Sequence, residues 1–324
     1  MGVYRLLLAY LVVLSHMSPN LYGFNLGVVA VVSFFLLSGF VMSALIRKYY
    51  LSPGLVVSFY MDRFARIAPQ FYLYALLTVI AVAAFELRHP WLTSAPSAGR
   101  ALVQFFIVTL NIYPYADMLV PQAWSLGLEV TFYLTFPFVL LFRLRLPIAA
   151  VSFVIFLFAY AAVLNFDRWG YRLLPGTMFI FICGSWIESS ENGTTKNIPA
   201  LVAISAAILL VLSYTVPTIA LTDDYLKMIR RSTLLGIVVG VPIVHVLKYA
   251  DNGSKLARAA GDLSYGVFLN HVLIIGVINR AIPIKLDSCL IIPICLLSTV
   301  SSYASYRFVE APVLSLRRRL RVTT

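Results

Sequence analysis

Apolar residues fill long stretches of this chain, and the polar positions gather in short breaks between them. The runs cover residues 4–22, 26–46, 67–87, 101–119, 122–142, 147–165, 173–187, 199–219, 232–248, 263–282 and 288–308. Roughly 17–25 apolar residues carry a helix across about 30 Å of hydrocarbon. The pattern therefore predicts an all-α fold, a polytopic bundle of transmembrane helices. The run 101–119 differs from the rest, because Gln104, Asn111, Pro114 and Asp117 interrupt it and only Val120 and Pro121 join it to the next. It reads as a re-entrant or interfacial segment, which leaves ten crossings.

The placement of Lys and Arg supports the same number, since short cytoplasmic loops are enriched in them. With ten spans and an inside N-terminus, 16 of the 25 basic residues fall inside and nine outside. With eleven spans the split becomes 12 to 13. About ten spans with both termini cytoplasmic is the expected topology. Lys227, Arg230 and Arg231 then lie outside, a cluster that this topology does not account for.

Composition sharpens the picture. The chain is 61% hydrophobic and only 12% charged, against roughly 25% charged in soluble domains. A soluble globular protein is excluded. The formal charge of +12 suggests no nucleic-acid partner, because the basic residues stand at the edges of apolar runs and form no basic domain. Cys183, Cys289 and Cys295 fall inside apolar runs without CxxC spacing, which suits packing and gives no metal site. The first run lacks a small-residue cleavage site and leads into the second, so it is expected to stay as a helix. Residues 1–324 read as one membrane domain with no fused soluble domain. No repeat of fixed period is visible, which argues against an inverted-repeat transporter.

In such a chain the informative positions are ionisable groups within spans, each costing about 2.5–3.5 kcal/mol to insert at mid-bilayer. These are His16, Glu129, His245 and His271, with Arg5 near a helix end. Arg5 and His16 are eleven positions apart, about 16 Å along a helix axis and on nearly the same face. His16 serves either as a packing and hydrogen-bonding residue or as a base. Glu129 follows Gln122 by seven residues, which puts it at a depth comparable to that of His16 if its span starts outside. A carboxylate there would tune an imidazole, and a protonated Glu bonded to another helix fits equally. Arg63 and Arg66, with Arg47 and Lys48, form an inner-face cationic cluster. It suits either anionic lipid headgroups or the phosphates of a cytoplasmic donor. His271 follows Asn270 and could bond a substrate or a neighbouring helix. His245 and His89 read as structural or solvated. The small pair Ser38 and Gly39 permits close helix approach.

Taken in order, these segments resemble acyltransferase family 3, the integral-membrane acyltransferases of extracytoplasmic glycans and related acceptors. The basic residue, ten positions and a histidine of that family are matched by Arg5 and His16. Its aromatic-aromatic-x-Leu-Ser-Gly-Phe signature is matched by Phe34, Phe35, Leu37, Ser38, Gly39 and Phe40. Arg63, Arg66, Ile67 and Pro69 match Arg-x-x-Arg-Ile-x-Pro. Trp124, Ser125, Leu126, Glu129, Phe132 and Tyr133 match Trp-Ser-Leu-x-x-Glu-x-x-Phe-Tyr. Ser264, Tyr265, Leu269 and His271 match a late element, and Glu310 with Pro312 the terminal Glu-x-Pro. The chain departs from many members in having Asp62 where they carry an arginine before Arg63.

The resemblance implies a membrane O-acyltransferase with a cytoplasmic acyl-CoA, commonly acetyl-CoA, as co-substrate. The acceptor is expected to be a hydroxyl of an extracytoplasmic or lipid-linked glycan, and the location a bacterial inner membrane, where lipid is the surrounding partner. His16 and Glu129 are the expected catalytic residues, and Arg63 and Arg66 the contacts to the donor. Arg5, Ser38, Trp124, Tyr133, His271 and Glu310 are expected to organise the site. The alternative is a transporter or flippase of a lipid-linked glycan that uses His16 and Glu129 as a proton relay.

Overall fold

The computed structural model describes residues 1–18, 20–87, 92, 96–107, 118–189, 195–216, 223–250, 253–281 and 290–322, with the side chains of 106–107 and 317–322 outside that description. His89, Asn111, Pro114, Asp117 and Cys289 lie outside the described residues. The helices are α1 (Gly2–Met17), α2 (Leu26–Tyr49), α3 (Val56–Phe85), α4 (Ala98–Ile107), α5 (Trp124–Leu141), α6 (Arg145–Tyr160), α7 (Leu174–Ser189), α8 (Ile198–Thr215), α9 (Asp224–Ala250), α10 (Lys255–Ala281), α11 (Ile291–Ser305) and α12 (Ala311–Val322). No β-strand occurs among the described residues beyond an isolated bridge between Leu21 and Phe24. That bridge closes a tight turn in which Gly23 takes a φ of 83°.

Among the described residues, six helical segments are long and apolar enough to cross a bilayer: Leu26–Tyr49, Pro53–Phe85, Pro121–Leu141, Ile198–Thr215, Asp224–Ala250 and Lys255–Ala281. α1 and α6 are apolar but shorter, at 16 residues each. Where the run 101–119 begins, α4 spans ten residues from Ala98 to Ile107, a rise of about 15 Å or half the hydrocarbon thickness.

Several helices begin well before their apolar runs. α3 starts eleven residues ahead of the run at 67, α9 eight ahead of 232, and α10 eight ahead of 263. Hydropathy detects the length that needs lipid, whereas a helix of 27 residues rises about 40 Å and carries polar turns beyond it. α2 shows ordinary end chemistry. The Asn25 side chain accepts a hydrogen bond from the Val28 amide at 3.0 Å, and Arg47 and Lys48 stand in the last turn, where cations oppose the helix dipole.

The chain divides into two compact units. The first comprises Ser18–Val57 and Thr131–Ser254 with Met1, and so holds α2, the end of α5 and α6 to α9. Here α2 and α7 run antiparallel at backbone contact: a Cβ on Gly39 would fall on the Phe181 carbonyl, and one on Gly184 on the Leu36 carbonyl. The Phe-Phe-Leu-Leu-Ser-Gly-Phe segment thus packs as small residues in membrane helices do. Phe181 also stacks on Phe35 and Phe132, with centroids 4.8 and 4.3 Å apart.

The basic cluster that topology left unexplained has a packing role in this unit. Arg230, only 1% exposed, donates to the carbonyl of Tyr160, the last residue of α6, at 3.1 Å. Arg231 donates to the Ser213 carbonyl near the end of α8 at 3.2 Å and lies 3.7 Å over the Tyr214 ring. Both guanidinium groups close the carbonyl ends of neighbouring helices, where cations are favoured. At the other end of α7, Glu188 pairs with Arg47 at 3.4 Å and accepts from Ser43, while Arg145 reaches Ser189.

The second unit comprises Gly2–Met17, Ser58–Val130 and Lys255–Thr324. It joins the first helix of the chain to the tenth and eleventh. Against α11, Gly266 of α10 leaves room that a Cβ would take from the Ser302 hydroxyl, and Ser302 donates to the Leu263 carbonyl at 2.7 Å.

Candidate active site

The polar side chains of the second unit are set by the registers of α1, α3, α5 and α10. Gly2 of α1 lies against Ala257 and Gly261 of α10 so closely that a Cβ would overlap the Ala257 carbonyl. Fourteen residues further along both helices, the rings of His16 and His271 meet edge to face, with centroids 4.9 Å apart. The two helices are therefore parallel and in step over about 21 Å. His16 is half-buried and His271 fully buried.

Each ring uses Nδ1 in the same way. His16 Nδ1 lies 2.9 Å from the Val12 carbonyl, and His271 Nδ1 3.2 Å from that of Val267. A carbonyl only accepts, so each Nδ1 carries a proton and, in the neutral ring, each Nε2 carries the lone pair. Two imidazoles thus present basic nitrogens at one level of the unit. His271 Nε2 is buried with no hydrogen-bond partner among the described residues.

α3 runs parallel to α10. The Tyr265 hydroxyl donates to the Ile67 carbonyl at 2.9 Å, and Asn270 Nδ2 donates to the Tyr74 hydroxyl at 3.3 Å and to the Ser298 carbonyl at 2.8 Å. Tyr74 in turn donates to Ser305 Oγ at 2.8 Å. Below these links, Arg66 is ion-paired with Glu310, which is wholly buried, and its guanidinium lies 5.5 Å over the Tyr265 ring. Arg5, Arg63 and Asp262 are near enough to act on Arg66 electrostatically. Arg63 donates through Nε to the neighbouring Asp62 carboxylate at 3.0 Å. Asp62, the departure noted in the sequence, is thus the partner of the first arginine of the pair.

α5 enters antiparallel to α10. Gln122 Nε2 donates to the Leu269 carbonyl at 2.6 Å, so the start of α5 stands close to the level of the histidines. Seven residues on, about 10 Å along the axis, Glu129 lies within electrostatic reach of Tyr265. This differs from the comparable depth expected for His16 and Glu129. The span was counted from Gln122 as an outer boundary, whereas Gln122 itself is drawn in to the Leu269 carbonyl.

Of the residues singled out in the sequence, Arg5, His16, Arg63, Arg66, Trp124, Glu129, His271 and Glu310 belong to this unit, and Ser38 and Tyr133 to the other. The structure brings together two pairs that sequence reasoning did not match: His16 with His271, and Arg66 with Glu310. It adds Asp62, Gln70, Tyr74, Gln122 and Asn270, all buried. One signal could have found Gln70 and Tyr74. They follow Arg66 at steps of four, a polar stripe on an otherwise apolar helix. His245 is exposed and lies against Tyr249 with centroids 5.5 Å apart. Cys183 is buried in α7 and Cys295 half-buried in α11. Among the described residues no three His, Cys, Asp or Glu side chains converge as metal ligands.

A family model described as an acyltransferase domain matches residues 3–307. The exopolysaccharide production protein ExoZ of Rhizobium meliloti (strain 1021) is 26% identical over 312 residues, covering 93% of both chains. An uncharacterized protein of Aquifex aeolicus (strain VF5) is 34% identical over 155 residues, which are 48% of this chain and 69% of the relative. No solved structure matches.

Proposed function

The chain belongs to acyltransferase family 3, and from that premise we propose that it moves an acyl group, acetyl in the first instance, from cytoplasmic acyl-CoA to a glycan hydroxyl. It is an O-acyltransferase carried on apolar helices. The glycan is extracytoplasmic or lipid-linked, and the protein resides in a bacterial inner membrane with about ten spans and both termini inside. The name of the Rhizobium relative makes an exopolysaccharide the first acceptor to try.

The observation that carries the catalytic assignment is the tautomer of His16. Its Nδ1 is committed to the Val12 carbonyl, so Nε2 is the atom that takes the proton of the acceptor hydroxyl. The acceptor oxygen attacks the thioester carbonyl, the carbon–sulfur bond breaks, and the proton passes from His16 to the departing thiolate. An ester and free CoA result. Glu129 and Arg5 set the charge of the site. Arg63 and Arg66 hold donor phosphates, since a guanidinium fits a phosphate in bidentate fashion.

The purified protein in detergent, given acetyl-CoA and exopolysaccharide from a strain lacking the enzyme, is expected to release free thiol and add acetyl groups to the sugar. Mass analysis of the glycan reads the second product. Absence of thiol release with every glycan offered would overturn the proposal in favour of a transporter.

A further inference from the structure

Along α3, Arg66, Gln70, Tyr74 and Thr78 form one stripe at intervals of four residues. Three of the four have a partner within the unit: Arg66 is ion-paired with Glu310, Tyr74 donates to Ser305, and Thr78 donates to the Tyr74 carbonyl at 2.9 Å. Gln70 does not. It is 0% exposed, and neither its Oε1 nor its Nε2 has a hydrogen-bond partner among the described residues. Buried polar groups are rarely left so, and a whole unpartnered carboxamide points to a group that joins it.

Its place in the fold narrows that group. Gln70 stands between the two links from α3 to α10, the Tyr265 bond to Ile67 and the Asn270 bond to Tyr74. Arg66 is one turn to one side of it. On the other side are the unpartnered Asn270 Oδ1 and His271 Nε2, with His16 against the His271 ring. A ligand lying along this line meets a cation, then a carboxamide, then imidazoles.

We propose that Gln70 binds a secondary amide in the arm of the acyl donor. This rests on the acyl-CoA reading above. A secondary amide offers one N–H and one C=O, so it satisfies Oε1 and Nε2 together. The arm of coenzyme A carries two such amides between its phosphates and its sulfur, in the order that Arg66, Gln70 and His16 follow.

The test compares two donors in one protein: acetyl-pantetheine, which has the amides, and the acetyl thioester of a simple alkanethiol, which has none. The wild-type preference in kcat/KM for the amide-bearing donor is expected to fall about tenfold in Gln70→Met, a near-isosteric change that removes both polar atoms. Because the ratio is taken within one preparation, a partly misfolded fraction cancels. An unchanged ratio overturns the assignment. The donor-free melting temperature of Gln70→Met should equal or exceed that of the wild type, since nothing that was bonded is lost. A clear fall would mean that the amide is satisfied by the protein or by a fixed water, and also overturns it. Should Gln70→Met not fold, Gln70→Asn, one methylene short, is read by the same ratio. If wild-type protein releases thiol from neither donor, the acyl-CoA reading has failed; if it does and the ratio holds, only the Gln70 assignment has.

Discussion

In the unit built on α2, α7 and α9, two cations of α9 end on helix carbonyls, Arg230 on Tyr160 and Arg231 on Ser213, while Arg47 and Arg172 nearer the helix ends pair with Glu188 and Asp167. In the unit built on α1, α3 and α10, Arg63 and Arg66 end on carboxylates, those of Asp62 and Glu310, and beyond them a whole carboxamide and an imidazole nitrogen have no hydrogen-bond partner among the described residues. Both units bury polarity in an apolar surround. The first uses it to finish helices whose last carbonyls have no partner of their own. The second sets a whole unpartnered carboxamide between a guanidinium and imidazoles, where the first leaves single atoms, Ser33 Oγ and Arg231 Nε among them, without a partner among the described residues; under the proposed function the second handles ligands and the first serves as scaffold.

The comparison breaks first at His16. His16→Ala should lower acyl transfer by about 10²–10⁴-fold, the usual contribution of a positioned general base, while insertion and melting temperature stay near wild type. Thiol release and a detergent melt on the same sample read both. Full activity would remove the catalytic claim from this unit.

Glu310→Ala should cost about 3–5 kcal/mol of stability, because it leaves the Arg66 guanidinium half-buried against Tyr265 without its carboxylate. Glu310→Gln should cost less, as it keeps an acceptor. Denaturant or thermal unfolding in detergent measures both. If the two variants are equal to wild type, the ion pair holds nothing together.

The smallest effect belongs to the other unit. Arg230→Met should lose about 1.5–3 kcal/mol, the range for hydrogen bonds to a charged group. It should lower the melting temperature with donor and acceptor KM unchanged. A shift in either KM would show that the scaffold unit also handles substrate, and would erase the distinction.

How far the sequence reached can be judged from single residues. Apolar runs foretold α2, α5 and α8 closely, since a helix in lipid must be apolar over the length that meets lipid. They missed the first turns of α3, α9 and α10, where Asp62, Lys227 and Asp262 are helical but polar. Gly39 was legible as a packing residue, because a missing Cβ has one dominant use between membrane helices. Arg230 was not, because a charge in the sequence gives no hint of whether a headgroup or a helix end will receive it.

The candidate site divides in the same way. The sequence by itself determined its chemistry: few ionisable groups in an apolar chain, their types, and the spacing that sets Arg5 and His16 on one face of a helix. Local periodicity is enough for that, since it follows from 100° per residue. Only the tertiary structure decided the partners. His16 meets His271, Arg66 meets Glu310 and the Gln70 carboxamide finds no hydrogen-bond partner among the described residues because α1, α3 and α10 are parallel and in a particular register. That register is fixed by contacts such as Gly2 against Ala257, between residues more than 250 positions apart. No interval along the chain encodes such a distance, because it arises only when whole helical faces are fitted together.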